Sequence, residues 1–382
     1  MAQTLKFGNK VWAAKEDSVL AYNDINNNYK PLPFSFSRAS IGTRVNKDGL
    51  IETMGQDIAR IDYTDSADGV LLLENSSTNL ITYSEDFSQW TALNNVVVTD
   101  NFTTSPDGTQ NAAKLVFDGT ADGRIELSAG VGGTTTQSVY LKTESGTQNV
   151  SIGAGSTDLT EFTITDQWVR YSHTGGGNFP RILCNDAATI YVYGAQLEQL
   201  SYPTSYIPTS GSTVTRAAET CNNSGNSEVF NDSEGVLFAD IEFLTLSNTY
   251  NDFFGLNNGS NSQRLLIERN TDVLKSYVGS AFLTTTLNSL NNKISISYKL
   301  NNFKMYLNGF EVDSVTSGTT PNGLDRFDFK IGGSLNLFTY AKAKEIGYYN
   351  TALTDLELET LTSYRNWVSM VNELNLNIIY NG

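Results

Sequence analysis

From residue 84 to residue 198 the chain is a succession of apolar pieces four to six residues long, each stopped by Gly, Asp or Asn. That spacing constrains the fold more than any other feature. The pieces fall at 95–99, 113–117, 124–127, 137–142, 150–153 and 168–172, rich in Val, Ile, Tyr and Phe. Runs this short cannot supply the several turns of an amphipathic helix, but they match strands with turn residues between them. Regular repetition of that unit predicts an antiparallel β-sandwich. Residues 190–193, Ile-Tyr-Val-Tyr, form a further strand signal, interrupted by Gly194 and resumed by Ala195-Gln196-Leu197-Glu198.

A second set of strand signals follows at 235–243, 264–269 and 293–300, and residues 303–312 carry Asn308-Gly309 between apolar runs, a strong hairpin signal. Thr354 reads as the N-cap of one short helix over 355–364, with Asp355, Glu357 and Glu359 near its N-terminal end. Only 17% of the 382 residues are charged against 39% hydrophobic, ample for real cores. The fold class expected is all-β: two antiparallel jelly-roll sandwiches in tandem, an extended N-terminal arm and one short C-terminal helix.

The expected boundaries are an arm over 1–83, a first sandwich over 84–200, a linker over 201–226, a second sandwich over 227–366 and an apolar tail over 367–382. Within the arm, residues 38–52 read as a hairpin about Asn46-Lys47-Asp48-Gly49, with glycine at the positive-φ position. Residues 69–74 read as a strand buried on both faces, packed on a neighbouring domain or subunit. Pro203 and Pro208 fix φ and remove two amide donors, which predicts an extended, semi-rigid linker. The tail, with Trp367, Val368, Met370, Val371, Leu374, Leu376, Ile378 and Ile379, is expected to dock on its own domain or on a neighbouring subunit.

Four separated segments, FSFSRASIGTRVNKDGLIE, ARIDY, GVLLLENSSTNLITYSEDFSQW and GAQLEQLSYPTSYIPTSGSTVTRAAE, resemble a module that recurs in bacteriophage virion proteins of the head-spike or head-fibre type. The match spans residues 33–217. QSVYLKTESG, TDQWVRYSHTG and IYVYGAQLE resemble the carbohydrate-binding-module type of jelly roll. ISISYKLNNFKMYLNGFEV, FDFKIGG and AKAKEIGYYNTALTDLELETLTSY resemble the laminin-G or concanavalin-A-like lectin fold over 227–366. The resemblance implies a structural virion protein on the particle surface. It further implies attachment to other virion proteins of capsid or tail through the N-terminal arm, assembly as a homotrimer and adhesion to host-surface or mucosal glycans. A tail fibre that reads a receptor and a polysaccharide-degrading virion enzyme are the alternatives.

The net charge of −16 repels phosphate backbones and anionic head groups, so no nucleic-acid partner is expected, and no apolar run reaches membrane-spanning length. Cys184 and Cys221 imply neither a disulfide framework nor, with the single His173, a zinc site; one buried and one loop thiol are expected. His173 lies in Ser-His-Thr-Gly-Gly-Gly without a nucleophile elbow and reads as an exposed loop histidine, with the glycine clusters at 130–133 and 175–177 as turns. Glu311-Val312-Asp313 starts a Glu-x-Asp-x-x-Glu hydrolase pattern that fails at Thr316, and no enzyme is expected.

Trp90, Trp168 and Tyr140, with Tyr191 and Tyr193, are the residues able to stack on sugar rings, although strand aromatics are more often core. No cofactor is demanded. Lectin-like folds can hold calcium on oxygen ligands, for which Asp252, Asn257, Asn258 and Asp313 are at hand.

Overall fold

A computed structural model describes residues 5–7, 12–23, 30–246, 251–329 and 339–374. The protein is all-β, with every strand pairing antiparallel and two short helices among the described residues. Its two compact units interleave along the sequence: one draws on Met1–Ala39, Gln56–Asn75 and Ala218–Gly382, the other on Ser40–Gly55 and Ser76–Ala217. This differs from two sandwiches in tandem behind a free arm.

The first unit is built on a sheet ordered Phe310–Val315, Asn302–Leu307, Asn291–Lys299, Glu234–Phe243, Ala341–Tyr349, Leu5–Phe7, Ala21–Asn23, Lys30–Pro31. Val70–Leu73 also pairs with Ala341–Tyr349, and with Arg60–Asp62. Much of the expected arm is therefore strand material of this unit. Its pieces are too short to form a sheet alone, and they order by adding to a long strand that still has pairing edge to offer. A five-stranded sheet, Ala281–Thr286, Val273–Val278, Arg264–Asn270, Asn251–Asn257 and Arg326–Asp328, and a smaller sheet of Ala14–Lys15, Ser18–Val19, Phe34–Ser37 and Thr220–Asn222 share the core. Phe34, Phe36, Ile61, Leu71 and Leu73 from the expected arm are buried in it. Val70–Leu73 is buried at every position, as its unbroken apolar run predicts, and the cover comes from its own unit.

Buried charge fastens these separated segments. Arg38, fully buried, donates to Glu219 at 2.8 Å, and Arg60, also fully buried, donates to Glu219 at 2.5 Å and to Glu74 at 2.8 Å. Burial alone would lower the Arg60 pKa, but the adjoining Glu219 and Glu74 carboxylates outweigh it and raise it. Asn308 and Gly309 both take positive φ in the turn joining Asn302–Leu307 to Phe310–Val315, as the Asn-Gly pair predicts. Thr354 caps the helix Asp355–Thr362 in a reciprocal capping box with Glu357. Within the expected docking tail a second helix forms, Trp367–Glu373, capped by Asn366; Val371 is buried, whereas Trp367 and Val368 are exposed. Residues 375–382 of that tail lie outside the described residues.

The second unit is a sandwich of two five-stranded sheets around one core. One sheet runs Thr91–Leu93, Gly123–Glu126, Arg181–Cys184, Gln148–Gly153, Thr160–Ile164; the other runs Val97–Thr103, Ala112–Asp118, Ala187–Glu198, Thr134–Thr143, Val169–Gly176. Leu115, Ile125, Val139, Leu141, Ile152, Ile182, Ile190 and Val192 point inward and carry the period-two pattern read from the sequence. The predicted hairpin forms as Gly42–Val45 with Ile51–Met54, Gly49 at positive φ, and Asn46 Oδ1 accepts the amides of Asp48 and Leu50.

The expected linker is not a free spacer. Glu198 accepts from Ser77 Oγ (2.6 Å) and the Thr204 amide (2.9 Å), and Gln196 Oε1 from the Ile207 amide (2.6 Å). Asn79 Nδ2 donates to the carbonyls of Ala195 and Ile207. Tyr202, Thr204, Tyr206, Ile207 and Thr209 are consequently buried in the second unit, while Thr220–Asn222 is a strand of the first. Polar turn residues looked like linker because several of their partners lie far away in sequence, as the Asn79–Ile207 separation of 128 illustrates.

Candidate functional site

The three predicted sugar-stacking residues separate. Trp90 is 4% exposed, packs on Phe87 at 5.3 Å between ring centroids and donates Nε1–H to the Tyr83 carbonyl at 3.0 Å. It is a core residue. Trp168 and Tyr140 instead share the outer face of the sheet containing Ala187–Glu198, with Tyr191 and Tyr193.

Cross-strand register builds this face in rows. Lys114 stands opposite Tyr191, and Tyr191 opposite Lys142; in the next row Tyr193 stands opposite Tyr140, and Tyr140 opposite Arg170. Residues directly opposite in an antiparallel pair point to the same side, so each row is a physical neighbourhood. Phe102, 42% exposed, stacks on Tyr191 at 5.9 Å with the rings 13° from parallel. Lys114 Nζ lies 3.8 Å from the Phe102 ring centroid, and Lys142 Nζ lies 5.1 Å from that of Trp168 and 5.5 Å from that of Tyr191. Trp168 Nε1 donates to the Thr104 carbonyl, which fixes the ring. The hairpin residues Val45 and Ile51 cover the Tyr193 and Tyr140 end.

A groove of about 590 Å³ opens on the same unit, lined by Glu126, Ser156, Asp158, Asn178, Phe179 and Arg181 with their neighbouring backbone. Glu126 and Arg181 are cross-strand partners, and their side chains pair at 3.1 Å while Arg124 Nε donates to the same Glu126 oxygen at 3.0 Å. Phe179 is 40% exposed at the rim. An open aromatic face beside a carboxylate, an amide and a guanidinium is the donor, acceptor and stacking set that a hydroxyl-rich ring uses.

His173 is not a loop residue: it lies within the strand Val169–Gly176, its side chain 12% exposed. Its Nδ1 is 2.8 Å from Thr160 Oγ1 and its Nε2 is 3.0 Å from Asp158 Oδ1, and Asp158 Oδ2 accepts the Gly176 amide at 2.7 Å. That amide, with the His173 ring, holds the Asp158 carboxyl below its ordinary pKa. The 175–177 glycines are accordingly more than turns. A Cβ at Gly175 would stand 2.3 Å from Asp158 Oδ2, and one at Gly177, where φ is +134°, would stand 2.0 Å from the Ala154 carbonyl oxygen. Glycine there lets the 154–158 loop close against the strand and shape the groove wall.

The other singled-out residues hold structure. Asp252 pairs with buried Arg269 and accepts the Tyr340 amide, Asn257 donates to Asp328, Asn258 donates to the Asn322 carbonyl, and Asp313 accepts the Thr284 amide. Each has its own protein partner, and among the described residues no group of three acidic, His or Cys side chains could hold a metal. Glu311 accepts the Tyr306 hydroxyl at 3.0 Å. Both thiols are buried; Cys221 lies in a strand, not a loop, and burial pushes its pKa well up.

Sequence reasoning did not find Glu126, Asp158, Phe179 and Arg181 as a set, nor Phe102, Lys114 and Lys142. The alternation Arg124-Ile125-Glu126, apolar in and charged out, was a usable signal for one groove wall, but nothing local connects it to Asp158.

The chain matches no protein-family model and no curated protein. Among solved structures it is similar to the CBM40 of Ruminococcus gnavus IT-sialidase bound to α2,3-sialyllactose, at 13% identity and TM-score 0.29 over 35% of this chain and 84% of that one. It is also similar to Trypanosoma rangeli sialidase, at 9% identity and TM-score 0.31 over 90% and 66%. A third is the CBM22 tandem of Paenibacillus barcinonensis Xyn10C, at 11% identity and TM-score 0.25 over 74% and 99%. Scores this low leave the fold to rest on the strand pairing itself.

Proposed function

We propose that this is a non-enzymatic structural protein of a bacteriophage particle, a head fibre or capsid decoration, whose second unit binds glycan weakly. The observation that carries the binding reading is the groove with the Phe179 ring at its rim beside Glu126, Asp158, Asn178 and Arg181. Weak single sites suffice on a particle, because many copies acting together raise avidity by about 10²–10⁴-fold. The phage reading rests on the resemblance of the four motif segments. In support, those segments supply the buried polar scaffold of both units: Arg38, Arg60, Glu74 and Glu219 in one, Asn79, Gln196 and Glu198 in the other. Large exposed apolar side chains at Phe310, Leu356, Trp367 and Val368 suit contact with other virion proteins or with further copies in a homotrimer.

Glycan-array binding by the purified chain, weakened about tenfold in Phe179→Ala with an unchanged unfolding temperature, is the expected result. Equal binding by the variant would remove the groove from the reading. Light scattering of the purified chain tests the trimer, and labelling the protein on intact particles separates head from tail. An enzyme reading has one observation in its favour, the hydrogen-bonded series Thr160–His173–Asp158 beside the groove. Release of reducing ends from a bacterial polysaccharide, abolished in His173→Ala, would establish it in place of adhesion.

A further inference from the structure

We infer that the outer face carrying the Lys114–Tyr191–Lys142 row is a second binding surface, separate from the groove, and that its ligand is an anionic polysaccharide. Sheet register places Lys114 and Lys142 on either side of Tyr191, while Phe102 and Trp168 hold the two ammonium groups from below.

The manner of holding decides the ligand class. A lysine fixed by a carboxylate is neutralised where it stands, but one fixed against aromatic rings keeps its full charge and its outward N–H donors. Neither Lys114 nor Lys142 has an ion-pair partner among the described residues, in a chain with 41 acidic and 25 basic residues. Arg170, in the adjoining row, spends its guanidinium on the Thr204 carbonyl and Ser138 Oγ and lies over Tyr140, again away from any carboxylate. Two carboxylates border this face: Glu144, which accepts the Tyr191 hydroxyl at 3.2 Å, and Asp107, which accepts the Tyr193 hydroxyl at 3.2 Å in the adjoining row.

The occupant must therefore be negative. It must also be extended, since the row crosses strands and offers no closed pocket. Side chains held by ring contacts lose little further rotamer freedom on binding, which lowers the cost of association. The 42% exposure of Phe102 leaves apolar ring surface beside the held ammonium that a sugar backbone can lie against and a simple ion cannot use.

Carboxylate-bearing and phosphate-bearing polysaccharides share this chemistry, so the test uses two probes, polygalacturonate and a phosphorylated dextran, by titration calorimetry or biolayer interferometry on the full chain. Wild-type protein is expected to bind at least one of them at low ionic strength, with affinity falling as salt rises. Lys114→Gln with Lys142→Gln is expected to weaken that binding about tenfold or more at an unchanged unfolding temperature. Polygalacturonate alone would assign the carboxylate class, phosphorylated dextran alone the phosphate class. Phe179→Ala leaves this binding intact while it impairs the groove, so failure of the groove reading and failure of this one are told apart. No binding of either polymer by wild type, or undiminished binding by the double variant, overturns the proposal.

Discussion

The two units fasten their distant segments in different ways. The first buries its arginines and neutralises them: Arg38 and Arg60 meet Glu219 and Glu74 at contact distance, and Arg269 meets Asp252, all nearly or fully out of water. The second fastens its buried segments chiefly with amides and hydroxyls around Asn79, Gln196 and Glu198, and holds Lys114 and Lys142 at its surface against aromatic rings. A buried ion pair adds little net stability but strongly penalises any arrangement that leaves one partner alone. In the first unit such pairs select which distant segments meet. In the second, cations left without carboxylates remain available to a ligand.

Removing one shared carboxylate should break this contrast most severely. Glu219→Ala removes the carboxylate that Arg38 and Arg60 share, leaving Arg60 with Glu74, and is expected to cost about 3–5 kcal/mol, read by calorimetry, with hydrogen exchange accelerating first at residues 34–39 and 56–74. Loss below about 1 kcal/mol would mean that the arginines find other partners. In the second unit the largest single effect is expected from Gly177→Ala, about 2 kcal/mol, because a methyl there meets the Ala154 carbonyl at a strained φ. Glycan binding by the groove should fall with it, whereas the Lys114 and Lys142 surface should be unaffected.

A smaller loss, about 1 kcal/mol by denaturant titration, is expected for Trp90→Phe, which forfeits the bond to the Tyr83 carbonyl. Glycan binding should not change, in contrast to substitution of Trp168. The smallest effect concerns pH. The folded-state pKa of Asp158 is depressed, so its contribution to stability is present above the ordinary carboxylate value near ~3.9 and disappears as pH falls through the folded value. Protection of the Gly176 amide, corrected for intrinsic exchange, should therefore weaken on acidification below about pH 4 and lose that pH dependence in Asp158→Asn. A pH-independent Gly176 amide in wild type would argue that the loop is held by its glycine contacts alone.

Much of the strand inventory was legible. The apolar pieces at 113–117, 137–142 and, but for Leu300, 293–300 fall within the observed Ala112–Asp118, Thr134–Thr143 and Asn291–Lys299, because inward alternation needs only a local pattern. The turns at Asn46–Gly49 and Asn308-Gly309 and the Thr354 cap were legible for the same reason: a positive φ and an orphan amide are local demands. Leu5–Phe7 and Phe34–Ser37 were not, since pieces of three or four residues carry no period and become strands only against Ala341–Tyr349 and Thr220–Asn222. Arg38, Arg60, Glu74 and Glu219 look like surface residues in sequence, and nothing short of their meeting shows that they can be buried. Among the aromatic candidates, Trp90 and Trp168 are of one residue type in similar strand-edge contexts, and only burial separates them.

The sequence by itself determined an all-β chain, two sets of alternating strands, their tight turns and one capped helix, all consequences of interactions within a few residues. Tertiary structure alone decided that the units interleave, that the apparent arm and linker are fastened strands and straps, and that Glu126, Asp158, Phe179 and Arg181 line one groove. The physical reason is that strand pairing joins residues without regard to their separation along the chain. Buried polar groups must find partners wherever pairing brings them.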